Sequence, residues 1–128
     1  MARILVIDDD AIMRRLVSAL LEEMGHTVCT AADGEAGLRE VGSVSPQLII
    51  LDMNMPKLDG YEVARRLKRD AVLRRIPILA LTGQIEIEDY QKARAAGCDG
   101  FLAKPVDAER LRVKLDLMLI TCADRAKA

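Results

Sequence analysis

The sequence predicts an α/β fold in which helices cover both faces of a doubly wound, five-stranded parallel sheet. Five short apolar runs alternate with five helical stretches over the 128 residues, and the links between them are short. The apolar runs are mostly continuous, which is typical of strands that are buried on both faces. Alternating strands and helices imply parallel neighbours joined by right-handed crossovers. The chain length and the number of strands fit the order 2-1-3-4-5.

The predicted strands are the apolar runs themselves, and the predicted helices lie between and after them. The strands cover residues 3–7, 27–30, 47–51, 76–81 and 100–103. The helices cover residues 11–24, 35–41, 60–69, 86–96 and 107–120. In this strand order, strands 1 and 3 are neighbours at the point where the winding of the sheet reverses. Ligands bind at the carboxyl edge of such a switch point.

The helices are predicted from periodicity and from signals at their ends. In the first helix, apolar residues recur at intervals of three and four from Ile12 to Met24, and Gly25 follows as a stop. The four later helices have weaker patterns. Gly97 ends the fourth helix, and Asp107 is placed to cap the amino end of the fifth.

Composition and charge exclude several classes of function. Only 2% of the residues are aromatic and none is Trp, so stacking platforms for single-stranded nucleic acid are excluded. The 19 Lys and Arg residues are balanced by 20 Asp and Glu residues, and this net charge of -1 does not favour direct nucleic-acid binding. The longest apolar runs fall far short of the ~20 residues that a membrane helix needs. We therefore expect neither a direct nucleic-acid partner nor membrane insertion.

The cysteines and the first residues predict a cytoplasmic location. Cys29, Cys98 and Cys122 are widely spaced and contain no CxxC pair. This pattern suits free thiols in a reducing compartment better than a disulfide or zinc framework. Acidic residues 8–10 interrupt the first apolar run, so a signal peptide is not predicted.

Four acidic residues follow two neighbouring strands of the predicted sheet. Asp8, Asp9 and Asp10 come directly after strand 1, and Asp52 follows strand 3. At least three carboxylates are therefore expected to converge, although like charges ~4 Å apart repel by roughly 4 kcal/mol at an effective dielectric of ~20. A divalent cation would offset this repulsion. Clustered oxygen ligands favour Mg²⁺, which needs only one or two carboxylates and keeps several waters.

Helix capping is the alternative explanation for part of this acidic run. An Asp at a strand-to-helix junction often caps the helix, and Asp10 is placed to do so. One helix end needs one cap, so three consecutive acids together with Asp52 exceed what capping explains. Zinc is disfavoured because it prefers His or Cys ligands, and the sole histidine, His26, follows the first helix.

Two further polar residues fall at the same edge of the predicted sheet. Thr82 ends strand 4 and Lys104 follows strand 5. A Lys ammonium neutralises phosphate oxygens, and a Thr hydroxyl donates a hydrogen bond to one. Taken singly, Thr82 equally fits a residue that satisfies its own turn, and Lys104 fits a solvated surface lysine. Their shared location favours a phosphoryl-binding site.

The site residues lie in motifs that resemble the receiver domain of response regulators in two-component signalling. The motifs are ILVIDDD (residues 4–10), LDMNMPKLDG (residues 51–60), ALTG (residues 80–83) and the pair Lys104-Pro105. They occur in the expected order, and the resemblance extends from Arg3 to about Ile120. It implies a flavodoxin-like receiver domain at residues 1–121, followed by a short C-terminal tail at residues 122–128.

The resemblance implies a metal-dependent phosphoacceptor site. Asp52 is then the phosphoacceptor, and Asp8, Asp9 and Asp52 hold Mg²⁺ together with the backbone carbonyl of Asn54. Lys104 pairs with the phosphate, and the family keeps the following Lys-Pro bond cis.

The resemblance also implies a conformational switch and a set of partners. Thr82 and Phe101 are the switch pair, through which phosphorylation changes the surface of the fourth helix, fifth strand and fifth helix for partner binding. Simple core packing is the alternative explanation for Phe101. The phosphodonor is a sensor histidine kinase or a histidine phosphotransfer protein, and the downstream protein is not identified. The chain is not an enzyme beyond self-phosphorylation from a phosphodonor and autodephosphorylation.

Two other functions are compatible with parts of the sequence. Asp8-x-Asp10 after strand 1 resembles the opening motif of small Mg²⁺-dependent phosphohydrolases of the haloacid-dehalogenase type. In that case Asp8 would be the nucleophile, but Ile12 departs from the motif and the chain is short for a cap domain. The second alternative is an interaction module that acts without phosphorylation.

Overall fold

A computed structural model of the chain contains a sheet of five parallel strands and describes residues 1–83 and 86–127, with side chains as far as residue 121 in the last helix. The strands are β1 (Arg3–Ile7), β2 (Thr27–Ala31), β3 (Leu48–Asp52), β4 (Ile78–Thr82) and β5 (Gly100–Ala103). The helices are α1 (Ala11–Glu23), α2 (Gly34–Val44), α3 (Gly60–Arg69), α4 (Ile87–Ala96) and α5 (Ala108–Lys127). A short 3-10 helix at Leu73–Arg75 precedes β4.

The sheet has the strand order β2-β1-β3-β4-β5, and all neighbouring strands are parallel. This order confirms the predicted doubly wound α/β fold. The winding reverses between β1 and β3, which pair from Ile4 with Leu48 to Ile7 with Leu51. The carboxyl ends of these two strands are therefore adjacent, as the predicted site requires.

Side chains of the sheet alternate between two apolar layers because successive residues of a strand point to opposite faces. Leu5 and Ile7 of β1 pack with residues of α2, α3 and α4. Ile4 and Val6 pack on the other face with residues of α1 and α5. The central strands β3 and β4 bury all their residues, which is the reason that their sequences read as continuous apolar runs.

The strands that carry the site end later in the chain than the sequence predicts. The sequence predicts strands at residues 47–51 and 76–81, whereas β3 covers Leu48–Asp52 and β4 covers Ile78–Thr82. Pro77 has no N–H to donate to a strand ladder, and the 3-10 helix occupies the residues just before it. As a result, Asp52 and Thr82 are the last residues of their strands, and the sheet fixes their backbones.

The helix boundaries follow their capping residues. The Asp33 side chain accepts from the N–H of Ala36 and caps the start of α2. Ser45 follows the end of α2 in a left-handed conformation, with φ of 51°. The helix covers Gly34–Val44 and is therefore longer than the predicted range 35–41. Gly97, with φ of 106°, ends α4 as predicted.

The fifth helix extends to Lys127, beyond the predicted end at residue 120. Residues 121–127 contain neither Gly nor Pro, so nothing in this segment interrupts the helix. The predicted tail at 122–128 is therefore helical as far as Lys127, and its last residue lies outside the described residues. Neither α5 nor any other helix in the described part of the chain is long and apolar enough to cross a bilayer.

Gly60 brings the start of α3 close to the end of β3. A Cβ atom at this position would lie 2.4 Å from the carbonyl oxygen of Asp52 and 2.6 Å from the Cα of Met53. The Asp59 side chain caps the same helix end by accepting from the N–H of Glu62 at 2.9 Å. Glycine thus permits the close approach that packs α3 against the backbone presenting Asp52.

The described cysteine side chains are free thiols, as the sequence predicts. Cys29 is half-buried and Cys98 is buried. Burial raises the pKa of the Cys98 thiol to about 12, so it is protonated and unreactive at neutral pH. The expectation for the Cys122 thiol lies outside the described side chains.

Candidate functional site

Three carboxylates converge at the carboxyl ends of β1 and β3. One carboxylate oxygen from each of Asp8, Asp9 and Asp52 lies within 4.8 Å of the other two. Asp8 and Asp52 are buried, with 0% and 2% of their surfaces exposed, whereas Asp9 is exposed. This convergence follows from the pairing of β1 with β3, because parallel neighbours end at the same edge of the sheet.

Lys104, which follows the edge strand β5, brings a positive charge to the carboxylates. Its Nζ lies 3.2 Å from Asp52 Oδ1 and 3.6 Å from Asp8 Oδ2. The Lys104 N–H donates to the carbonyl oxygen of Thr82 at 2.9 Å, which anchors the residue just after β5. The Lys104–Pro105 peptide bond is cis, as expected from the sequence resemblance. Among the described side chains, one ammonium thus faces three carboxylates, and the cluster keeps an excess of negative charge.

Backbone N–H groups hold the two buried carboxylates in place. The N–H of Asp10 donates to Asp8 Oδ1 at 2.9 Å, and the N–H of Asn54 donates to Asp52 Oδ1 at 3.1 Å. Arg14 adds a third anchor by donating from Nη1 to the carbonyl oxygen of Asp8 at 2.8 Å. The orientation of both acids is therefore set by the turns that follow β1 and β3.

The second carboxylate oxygen of Asp8 shows that the cluster fits a metal ion. Asp8 Oδ2 is buried and accepts no hydrogen bond from any described residue. Lys104 Nζ lies 3.6 Å from this oxygen, beyond hydrogen-bonding distance, and is shared with Asp52, so one ammonium only partly compensates the buried charge. The three acids offer only oxygen ligands, which hard cations such as Mg²⁺ prefer. These residues therefore fit a magnesium ion.

The histidine lies away from this cluster. His26 is half-buried next to the amino end of β1, where its Nδ1 accepts from the N–H of Ala2 at 3.1 Å. Burial lowers the pKa of His26 below its usual value. The cluster itself contains neither His nor Cys. A zinc site at these residues is therefore disfavoured, as the sequence predicts.

The proximity of the carboxylates affects the pKa of Asp9. Desolvation raises the pKa of Asp9, and the hydrogen bond with Asp52 and the negative charge of Asp52 raise it further. The positive charge of Lys104 lowers the pKa of Asp9 by a smaller amount. In the absence of a metal ion, the ionised form of Asp9 therefore destabilises the folded state relative to the unfolded chain.

Asp10 does not belong to the carboxylate cluster. Its Oδ1 accepts from the N–H groups of Ile12 and Met13, at 2.9 and 3.3 Å, and so caps the start of α1. The capping explanation is thus correct for Asp10, while Asp8 and Asp9 join Asp52. The run of three acids divides into two cluster residues and one helix cap.

Comparison with known proteins identifies the family. The model of the response regulator receiver domain matches residues 4–116, which is most of the chain. The chain belongs to this family. The match confirms the resemblance found in the sequence motifs and supports a role in two-component signalling. Receiver domains of response regulators are signalling domains rather than conventional enzymes.

Several curated relatives differ from this receiver domain in length. The DNA-binding dual master transcriptional regulator RpaA of Synechocystis is 40% identical over 93% of this chain. Protein PilG of Pseudomonas aeruginosa is 34% identical over 85% of this chain. The chain spans about half the length of RpaA, 49%, and 81% of the length of PilG.

Solved structures support the same fold. The chemotaxis protein CheY4 of Vibrio cholerae superposes with a TM-score of 0.86 at 35% identity, covering 91% of this chain and 97% of CheY4. The receiver domain of a signal transduction histidine kinase from Syntrophus aciditrophicus gives a TM-score of 0.87 at 30% identity, covering 94% and 92%. The flavodoxin-like arrangement predicted from the sequence is therefore confirmed.

The predicted switch pair of this receiver domain shares one face of the sheet. Thr82 is buried, and Phe101 is half-buried against the layer formed with α2, α3 and α4. The register pairs Ala80 with Phe101 and Thr82 with Ala103. Because paired residues point to the same face, Thr82 and Phe101 are diagonal neighbours.

Two contacts of the site were not found from the sequence. The periodicity of the first helix predicts Arg14 on its solvent side, yet its guanidinium reaches the carbonyl of Asp8. The ring of Tyr90, on α4, meets the ring of Phe101 edge to face at 5.1 Å. The only sequence signal for the Arg14 contact is its place in the first turn of the helix that follows Asp8, and no periodic pattern links Tyr90 to Phe101.

The carboxylate cluster predicts that Asp9→Asn stabilises the metal-free protein at pH 7. The substitution removes one of three like charges, and the gain is expected to be up to about 1 kcal/mol because Asp9 is exposed. Urea unfolding in EDTA measures the change as a higher midpoint. Asp10→Asn is the matched control, because it removes the same charge from the adjacent residue and keeps a side chain that caps the helix. A lower midpoint for Asp9→Asn, or an equal rise for Asp10→Asn, would contradict the electrostatic assignment.

Proposed function

We propose that this receiver domain is a phosphoacceptor switch in which Asp52 receives a phosphoryl group from a histidine kinase or a histidine phosphotransfer protein. The observation that carries the proposal is the convergence of Asp8, Asp9 and Asp52 with Lys104, whose Nζ lies 3.2 Å from Asp52 Oδ1. The family match supports two-component signalling.

The nucleophile of the proposed reaction is a carboxylate oxygen of Asp52. It attacks the phosphorus of a phosphohistidine, so that a P–O bond to Asp52 forms while the P–N bond breaks and the imidazole leaves. The backbone N–H of Asn54 orients this carboxylate, and the Lys104 ammonium neutralises oxygens of the incoming group. The product is an acyl phosphate, which water later hydrolyses.

The proposed metal ligands are the side chains of Asp8, Asp9 and Asp52 and the backbone carbonyl of Asn54. The buried Asp8 Oδ2 without a hydrogen bond supports this set, as does the all-oxygen character of the cluster. Bound Mg²⁺ would neutralise charge on the transferred phosphoryl oxygens. The carboxylates of Asp8 and Asp9 also place Asp52 in a negative potential, which disfavours the approach of a phosphoryl group until that charge is offset.

Phosphorylation is proposed to act on the surface of α4, β5 and α5 through Thr82 and Phe101. A phosphate oxygen on Asp52 accepts a hydrogen bond from the Thr82 hydroxyl and draws it towards the site. The Phe101 ring then moves into the vacated space, and Tyr90 follows because the two rings are in contact. The diagonal placement of Thr82 and Phe101 on one face of the sheet supports this route.

The proposed partners are a protein that donates the phosphoryl group and a protein that responds to the phosphorylated domain. The donor carries phosphohistidine. The protein that responds to phosphorylation of this domain is a downstream partner that these residues do not identify. RpaA is described as DNA-binding, but this chain spans only 49% of its length. The net charge of -1 favours protein rather than DNA as the direct partner of this domain. Free thiols support the proposed cytoplasmic location.

The proposed domain boundaries remain residues 1–121 for the receiver domain and 122–128 for its C-terminal extension. The family match ends at residue 116, and the last strand and most of α5 lie before residue 121. The extension continues the same helix as far as Lys127. It therefore adds helix length without adding a strand to the sheet.

The alternative functions make different demands on the site. A phosphohydrolase of the haloacid-dehalogenase type would need Asp8 as nucleophile and Asp10 beside it, whereas Asp10 caps α1 and the family match is to receiver domains. An interaction module that acts without phosphorylation needs no nucleophile. It therefore predicts no covalent phosphate on Asp52.

Acetyl phosphate with Mg²⁺ is expected to add one phosphoryl group, which intact-protein mass spectrometry detects as an adduct that is stable in acid and lost in base. Asp52→Asn keeps the size of the side chain but removes the nucleophile, so the adduct disappears. EDTA suppresses the adduct in the unmodified chain. Asp10→Asn is the control and retains it. An undiminished adduct on Asp52→Asn, or its loss from Asp10→Asn, would refute the assignment.

The proposed switch can be followed by tyrosine fluorescence, because the chain has two Tyr residues and no Trp. Tyr61→Phe leaves Tyr90 as the reporter and keeps the ring on which Lys92 stacks. Phosphorylation is expected to change the Tyr90 emission in this background. Adding Thr82→Ala removes most of the change without preventing phosphorylation, whereas the exposed control Thr121→Ala does not. An unchanged response after Thr82→Ala would show that the hydroxyl plays no part.

A further inference from the structure

We propose that a cavity between α1 and β2 binds the phosphate group of a small phosphorylated molecule, at a site separate from Asp52. The cavity has a volume of about 370 Å³, and its lining residues are Ala11, Arg14, Arg15, Ser18 and Thr30. Pockets that bind small molecules typically have volumes of about 300–1,000 Å³. The cavity therefore has room for a phosphate group and a few further atoms.

The lining residues supply hydrogen-bond donors and positive charge. No lining residue is acidic, and neither Arg14 nor Arg15 forms an ion pair with a carboxylate within the described part of the chain. Arg14 uses Nη1 to bind the carbonyl of Asp8, and a guanidinium has further N–H donors. Guanidinium groups bind phosphate oxygens in pairs, and two of them border this cavity.

Ser18 adds to the lining of the cavity a hydroxyl that has no hydrogen-bond partner in the described part of the chain. Its Oγ is buried and has no hydrogen-bond partner among the described residues. A serine within a helix ordinarily returns its hydroxyl to a carbonyl one turn back or exposes it to solvent. Ser18 is a lining residue of the cavity, but its Oγ is not exposed there, so a hydrogen bond to a bound phosphate requires the side chain to change its rotamer.

Thr30 provides a donor from the opposite wall of the cavity. Val28 of β2 packs with the layer formed by α1 and α5. Thr30 lies two residues later on the same strand and therefore faces the same side of the sheet. Donors thus come from both the helix and the strand, which distinguishes this cavity from a row of arginines on a helix surface.

The cavity is separate from the carboxylate cluster but linked to it. None of Asp8, Asp9 and Asp52 lines the cavity. Arg14 nevertheless borders the cavity and donates to the carbonyl of Asp8. Ligand binding can therefore be measured without phosphorylating Asp52, and its effect is expected first at the residues around Arg14.

The test is a titration of the full chain in EDTA, followed by amide NMR shifts at constant ionic strength. Glycerol 3-phosphate is expected to shift the amides of Ser18 and Thr30 in a saturable manner, whereas glycerol does not. Inorganic phosphate is the second arm. Equal affinity for both anions assigns the site to free phosphate, and tighter binding of glycerol 3-phosphate assigns it to phosphate esters. Shifts that do not saturate, or that sodium chloride reproduces, would overturn the proposal.

Matched variants separate this site from general charge effects. Arg15→Gln changes an exposed side chain and is expected to weaken binding about tenfold or more, because a charged hydrogen-bond donor is lost. Ser18→Ala is expected to weaken it less. Arg69→Gln, an exposed arginine on α3, is the control and leaves affinity unchanged. Equal affinity in Arg15→Gln and the unmodified chain would show that the cavity is not the binding site.

Discussion

The repulsion between buried carboxylates at the ends of β1 and β3 is the constraint around which the site is arranged. Asp8 and Asp52 are almost fully buried, and Asp9 stands at their edge. Burying like charges together is strongly unfavourable without cations. Lys104 offsets part of the charge, and Asp8 Oδ2, which accepts no hydrogen bond from the described residues, marks where a metal ion would offset more. Because the negative charge is already unbalanced, a phosphoryl group on Asp52 would change the electrostatic balance of the site further.

The parallel sheet is what maintains this arrangement. The order β2-β1-β3-β4-β5 places the ends of β1 and β3 side by side and lets Lys104 reach them from β5. Apolar layers on both faces hold the strands in register, so the charged groups are confined to one edge. The fold thus concentrates its polar chemistry where the winding reverses, and it leaves Thr82 and Phe101 on the face that carries α4.

The strand order and the cluster could be predicted because they depend on local patterns. Continuous apolar runs reveal buried strands, and acids directly after them must meet if the strands are neighbours. The helical end of α5 and the start of β4 were misplaced, since these depend on the absence of a breaker and on the missing N–H of Pro77. The contacts of Arg14 and Tyr90 join residues of different elements, and single-sequence periodicity carries no information on them.

The most direct test of the central claim locates the phosphoryl group on the chain. Borohydride reduces an aspartyl phosphate to homoserine, which peptide sequencing by mass spectrometry places at one residue. After reaction with a phosphodonor and Mg²⁺, the account predicts homoserine at position 52 and intact aspartate at positions 8 and 9. Homoserine at position 8, or at any aspartate outside the cluster, would contradict it.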